Sequence, residues 1–296
     1  KRFGYRFATL GNFVSKGQVS NKELLTYFKI VDKFIEGTYA SEIRSEADLE
    51  KEYVKYFIKN FIIIDKINYG QFLPLGAAAG LVSKLLNNNK IAGRLIKSEN
   101  GVAELEYAPH KPTDGFYCED DLTGLEIEKE YTALNQIKTI NNNPYSFNEL
   151  INSKVFQYSQ GIITRGAERY FIYEVSGIHM LEKDLGSNPK TKKILYETAK
   201  SAGKNMFSNE EYTIKDLTKF LTAFGWGEVT TLNKKEKITI VMNYHPWTKF
   251  IEKTDYTIIT GILEGSLENI LKRSIKLKLT TAQTLRGYLA VVFEEQ

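Results

Sequence analysis

The sequence predicts an α+β protein of two related halves, each a layer of helices packed on a small antiparallel sheet. Three observations carry this reading. Apolar residues recur at helical spacing in some stretches and alternate in others. A helix with two glycines four apart, then a strand, a glycine and a second strand, occurs once in each half: Gly76 and Gly80 before Gly101, Gly261 and Gly265 before Gly287. Between the halves lies Pro109-His110-Lys111-Pro112-Thr113-Asp114-Gly115, rich in helix and strand breakers. The expected organisation is a first domain over residues 1–115, a connecting helix and linker over 116–154, and a second domain over 155–296.

In order along the chain, residues 5–10 read as a short aromatic strand. Ser20 with Glu23 is a capping box, and behind it Leu24, Leu25, Phe28, Val31, Phe34 and Ile35 share a helical stripe that Gly37 ends. Ser45 and Asp48 suggest a second helix start, continued by Leu49, Tyr53, Phe57 and Phe61. Residues 73–86 form a third helix, whose paired glycines let another backbone come close. Residues 91–96 and 102–107 make a hairpin over Asn100-Gly101, a type I′ signal. Residues 125–140 have helical spacing that Asn141-Asn142-Asn143-Pro144 stops.

From Val155 the period shifts to two, giving a hairpin that turns near Arg165-Gly166. A short helix follows over 176–185, broken by Gly186-Ser187-Asn188-Pro189, and a long one over 190–207. Residues 213–224 form a helix with Asp216 at the capping-box position. Residues 228–232 and 238–243 form a hairpin, 256–272 a helix, and 275–280 with 287–293 the closing strands.

Composition excludes several classes. The 40 Lys and Arg against 36 Asp and Glu leave +4, interspersed, which permits nucleic acid as a partner without arguing for it. The single cysteine, Cys118, rules out an internal disulfide and a cysteine zinc site, and fits a reducing, cytoplasmic compartment. Three scattered histidines without cysteine partners do not make a metal site, and no cofactor motif is present. No apolar run approaches the ~20 residues of a membrane helix. There is no Gly-x-Ser-x-Gly elbow, Walker loop or Gly-x-Gly-x-x-Gly after a strand, so the chain is read as a non-enzyme. The first residue is Lys1, as expected of a fragment.

Within residues 155–296 the ordered motifs resemble the 4-vinyl reductase domain family, related in fold to subunits of the TRAPP transport complex. The carrying residues are Leu195-Tyr196-Glu197-Thr198-Ala199-Lys200-Ser201-Ala202-Gly203, with Ala199 where the family has a glycine; Gly225-Trp226-Gly227-Glu228-Val229; and Gly261 with Gly265 before the last two strands. The first half is similar only over 76–107. Members often carry cysteines on the final element, where residues 280–292 have none. The resemblance implies a pocket between helices and sheet, as in sensor domains that answer to small aromatic compounds, or helix-mediated pairing as in TRAPP subunits.

The candidate ligand-binding residues are Leu195 and Ala199 on the long helix, Phe224 and Trp226 around Gly225, Tyr244, His245 and Trp247 in one aromatic loop, and Ile262 on the glycine-paired helix. His245 would donate a hydrogen bond and Trp247 would stack. For the loop and for Phe224-Trp226, plain core packing competes with this reading. The expected function is binding of an apolar or aromatic small molecule with signalling to a protein partner, a second copy or DNA. The alternatives are an assembly module with a filled core, and a DNA-binding factor, for which Lys190, Lys192 and Lys193 are the most informative cluster because a helix N-terminus disfavours cations.

Overall fold

The structure, a computed structural model, describes residues 1–62, 72–109, 117–118, 122, 145–160, 162–170, 175–208, 211–234, 236–249, 254–283 and 287–295. The predicted boundary at 110–115 and helix at 125–140 lie outside them. The fold is α+β, as the sequence predicts. Two compact units share the chain: Lys1–Glu128 with Val155–Tyr173, and Lys129–Lys154 with Glu174–Gln296.

The first unit opens with α1 (Arg2–Leu10), a helix where the sequence suggested a strand. The alternating aromatics were misleading. Gly4 and Ala8 are buried four residues apart, the small-residue spacing of a helix packed tightly on another. Its partner is α3 (Phe72–Leu86): a Cβ on Gly80 would fall 1.9 Å from the Lys1 carbonyl oxygen, and one on Gly4 would fall 1.7 Å from that of Ala77. Between them in sequence is α2 (Asn21–Thr38), opened by the reciprocal Ser20–Glu23 capping box. It buries Leu24, Phe28 and Val31, while Leu25 and Phe34 of the expected stripe stay exposed.

The helix expected from Ser45 is instead a hairpin of β1 (Glu42–Asp48) and β2 (Tyr53–Lys59). Val54, Tyr56 and Ile58 are buried at period two. Asp48 does cap, but its Oδ1 accepts from the N–H groups of Glu50 and Lys51, closing a tight turn and not a helix. After α3 come β3 (Ala92–Glu99) and β4 (Val102–Ala108), whose turn places Asn100 and Gly101 at φ 51° and 74° as a type I′ loop requires. With the short β5 (Tyr117–Cys118) the antiparallel order is β1-β2-β4-β3-β5.

A separate three-stranded meander, β6 (Gln157–Ser159), β7 (Ile162–Arg165) and β8 (Glu168–Tyr170), turns at Gly166. It packs with the first unit, where the period-two pattern had put it at the head of the second. The Arg169 guanidinium donates to the carbonyls of Tyr39 and Asn60 at 3.1 and 2.5 Å.

The second unit contains α4 (Phe147–Asn152), α5 (Val175–Gly186), α6 (Pro189–Met206) and α7 (Ile214–Ala223). Asn188 caps α6 and the Thr213–Asp216 box caps α7. The hairpin of β9 (Glu228–Lys234) and β10 (Lys237–Asn243) leads through a 3₁₀ turn (Pro246–Lys249) to α8 (Thr257–Leu271), then β11 (Ile275–Gln283) and β12 (Tyr288–Glu295). The order is β11-β12-β10-β9. Each unit's sheet thus has a hairpin, a glycine-bearing helix and a second hairpin, with the final strand of the second hairpin (β4 or β12) beside that of the first (β2 or β10). Ile240, Met242, Val291 and Phe293 of the sheet and Ile259, Leu263 and Leu267 of α8 are buried.

Candidate functional site

Helices α6 and α8 run parallel, because their contacts step forward together: Tyr196 with Gly261, Lys200 with Gly265, Lys204 with Glu268. They meet backbone to backbone. A Cβ on Gly203 would fall 2.1 Å from the Ile262 carbonyl oxygen, and one on Gly265 would fall 1.9 Å from that of Lys200. The Ala199 Cβ already lies 2.8 Å from the Cβ position of Gly261. Glycine is therefore needed here for close approach.

The open volume lies at the N-terminal end of this pair, where edge strand β11 passes. It is a cleft of about 760 Å³. Lys192, Lys193 and Tyr196 of α6 form one wall. Tyr256, Thr257 and Thr260, at the start of α8, form the second, and Leu277, Thr280 and Ala282 of β11 the third.

One carboxylate ties these walls together. Glu264 on α8 is 5% exposed. Its Oε2 accepts from the Tyr196 hydroxyl at 2.5 Å and the Leu277 backbone N–H at 2.9 Å, and its Oε1 accepts from Lys200 Nζ at 2.7 Å. Burial and the Glu264 bond both raise the Tyr196 phenol, keeping it a neutral donor. Burial works to lower the Lys200 ammonium, but its bonds to Glu264 and Glu268 prevail and raise it.

Tyr256 is the least ordinary residue of the cleft. It precedes α8 in a left-handed conformation, φ 53° and ψ 37°, which costs a side-chain-bearing residue about 1 kcal/mol or more. It is 7% exposed, and among the described residues its hydroxyl has no hydrogen-bond partner. Burial first, and Glu182 second, push its phenol up to about 12. Glu182 of α5 is itself buried and accepts the Ile258 N–H at 2.5 Å, capping α8 from another element. Desolvation raises its carboxyl.

The structure brings three of the sequence-predicted residues together. The rings of Trp226, His245 and Trp247 lie 5.6–6.4 Å apart. His245 is 0% exposed, its Nδ1 is 2.9 Å from the Trp226 carbonyl oxygen, and its Nε2 is buried without a partner. Burial drops its pKa from 6.5 to about 4. Tyr244 beside it is 44% exposed, in left-handed backbone. Phe224 packs on Phe220, at 5.8 Å. Ala199 is buried in the α6–α8 contact, with Leu195 and Ile262 half-buried on the same helices. None of these eight residues lines the cleft.

Sequence reasoning missed Tyr256, Glu264 and Glu182 as site residues. Glu264 between Gly261 and Gly265 carried a signal, a carboxylate on a helix face that must be buried. The left-handed backbone of Tyr256 had none. Lys192 and Lys193 were noticed, as a nucleic-acid cluster. Among the described residues no group of three His, Cys, Asp or Glu could hold a metal, and no helix is long and apolar enough to cross a membrane.

The second unit is thus a mixed α+β unit with a ligand-sized cleft beside a close helix pair. No family model and no curated protein matches the sequence. Among solved structures, the chain is similar to the phenol-responsive sensory domain of the transcription activator PoxR, at 10% identity over 50% of this chain and 88% of that one, TM-score 0.39. It is also similar to a vinyl-4-reductase family protein from Methanocaldococcus jannaschii, at 24% identity over 34% and 66%, TM-score 0.29. A third is trafficking protein particle complex subunit 3 from Naegleria fowleri, covalently bound to palmitic acid, at 15% identity over 42% and 97%, TM-score 0.30.

Proposed function

We propose that the second unit is a small-molecule-binding module of the 4-vinyl reductase type, and that the chain is a tandem of two such modules. The ligand reading is carried by the cleft, whose 760 Å³ falls within the ~300–1,000 Å³ of small-ligand sites. The tandem reading rests on the shared hairpin–helix–hairpin order of the two sheets and on the glycine pair in each module's helix. The module acts by binding, not by making bonds. His245 is sealed between two indoles and bonded to a backbone carbonyl. A molecule between Tyr196 and Leu277 is felt at Glu264, which both residues contact, so occupancy resets the packing of α6 on α8 and signals to a protein partner or DNA.

A ligand-observed NMR screen of aromatic and aliphatic fragments on the full chain, repeated with Ala282→Trp, tests this. Fragments should bind the wild type and lose binding when the indole fills the cleft, with the far-UV circular dichroism unchanged. Binding indifferent to Ala282→Trp, or no binding fragment, overturns it. The competing reading is an assembly module without a ligand. It is favoured by the backbone-tight α6–α8 contact, which leaves no channel between those helices.

A further inference from the structure

The cleft's charge is specific enough to name a ligand class. Lys192 and Lys193 sit on its rim, and two parallel helices begin there, so the positive ends of both dipoles face one volume. Two carboxylates offset part of this: Asp255 pairs with Lys192, and Glu182 occupies the Ile258 N–H. Lys193 makes no ion pair among the described residues. Three lysines in the first turns of α6 run against the helix dipole, an arrangement that folding alone does not favour. A second observation is independent of charge: the buried Tyr256, which lines the cleft, has a hydroxyl with no partner among the described residues. That donor is available to an acceptor held in the cleft. The remaining lining is aliphatic, aromatic or threonine.

We propose that the cleft takes a small organic acid, an apolar ring or short chain bearing one carboxylate. The carboxylate sits at Lys192 and Lys193 with the Tyr256 hydroxyl as a further donor, and the apolar body lies on Tyr196 and Leu277. This rests on the ligand-binding reading above and goes beyond it in assigning the ligand's charge. A neutral molecule of equal shape would leave the Lys193 ammonium unanswered.

The test is calorimetric and NMR titration of the full chain with matched probes: 1-naphthoate against 1-naphthamide, and octanoate against octanamide. The acids should bind about tenfold tighter than their amides, the scale of one charge-assisted hydrogen bond. The preference should shrink with added salt. It should fall to within about twofold in Lys192→Ala/Lys193→Ala, the residual expected once both rim charges are gone. Lys193→Glu, which leaves the Lys192–Asp255 pair intact, should reverse it. Equal binding of acid and amide to the wild type overturns the charge assignment but leaves the ligand-binding reading standing. A preference that survives both lysine variants overturns the assignment to these residues. Failure of all four probes to bind overturns the inference and the underlying reading together.

Discussion

The Tyr196 hydroxyl donates to the Glu264 carboxylate at 2.5 Å across two parallel helices. The same carboxylate holds Lys200 and the Leu277 backbone, so one buried charge fixes helix to helix and helix to sheet. Removing it leaves the Tyr196 hydroxyl and the Leu277 N–H without an acceptor, while the half-buried Lys200 keeps its bond to Glu268. Glu264→Ala should cost about 2–4 kcal/mol, as leaving two part-buried donors unmatched does. Glu264→Gln keeps acceptor capacity and should cost less. Tyr196→Phe deletes one bond and should cost about 1–1.5 kcal/mol. Urea denaturation of the full chain orders the three; equal losses for Glu264→Ala and Tyr196→Phe would show that the network is not shared.

The glycines divide by what surrounds them. Gly265→Ala places a methyl 1.9 Å from the Lys200 carbonyl oxygen, and backbone cannot yield as a side chain can. The helices must separate, at a cost of roughly 3 kcal/mol or more. Gly37 lies within α2 with nothing within 4 Å of its Cβ position, so Gly37→Ala should stabilise by about 0.5–1 kcal/mol. Thermal melts of both variants check the contrast.

These positions also show what a sequence can and cannot reveal. Caps and turns are local, so Ser20, Thr213 and Asn100-Gly101 were legible, and so were nearly all elements of the second unit. Asp48 was read as a helix cap because an aspartate caps a turn and a helix by the same hydrogen bond. Whether the chain continues as helix or returns as strand is decided by Tyr56 and Ile58 finding a sheet neighbour in β4, information some fifty residues away. The site was less legible. The aromatic loop announced itself through composition and formed a packed cluster. The cleft is made by where two helices begin and an edge strand passes, which is a tertiary outcome with no local pattern.

In the first unit, Asp32 Oδ1 and the Tyr56 hydroxyl are both buried without a partner. Burial raises both groups, the tyrosine further because of the nearby Asp32. Tyr56→Phe removes an unsatisfied polar atom while keeping the ring that packs edge-on to Tyr107. It should be neutral or stabilising by up to about 1 kcal/mol. A clear loss of stability in equilibrium denaturation would mean that a bound water satisfies the hydroxyl in solution.

His245 sets an acid limit on the second unit. Its pKa is 6.5 when unfolded and about 4 when folded, because burial between Trp226 and Trp247 excludes the charged ring. Between those values the unfolded chain binds a proton that the folded chain does not, so stability is complete above pH 6.5 and falls as pH drops toward 4. The full loss is on the order of 3 kcal/mol. Glu182 works in the opposite sense: its carboxyl is raised by burial, so the folded state holds its proton more tightly and gains on acidification. The two overlap, and a single pH profile does not separate them. His245→Asn does, because an amide can donate to the Trp226 carbonyl without titrating. The variant should be less stable at pH 7 through lost ring packing. Its denaturation midpoint should stay flat, or rise, where the wild type declines from pH 6.5 to 4. A parallel decline in both proteins would place the acid sensitivity elsewhere.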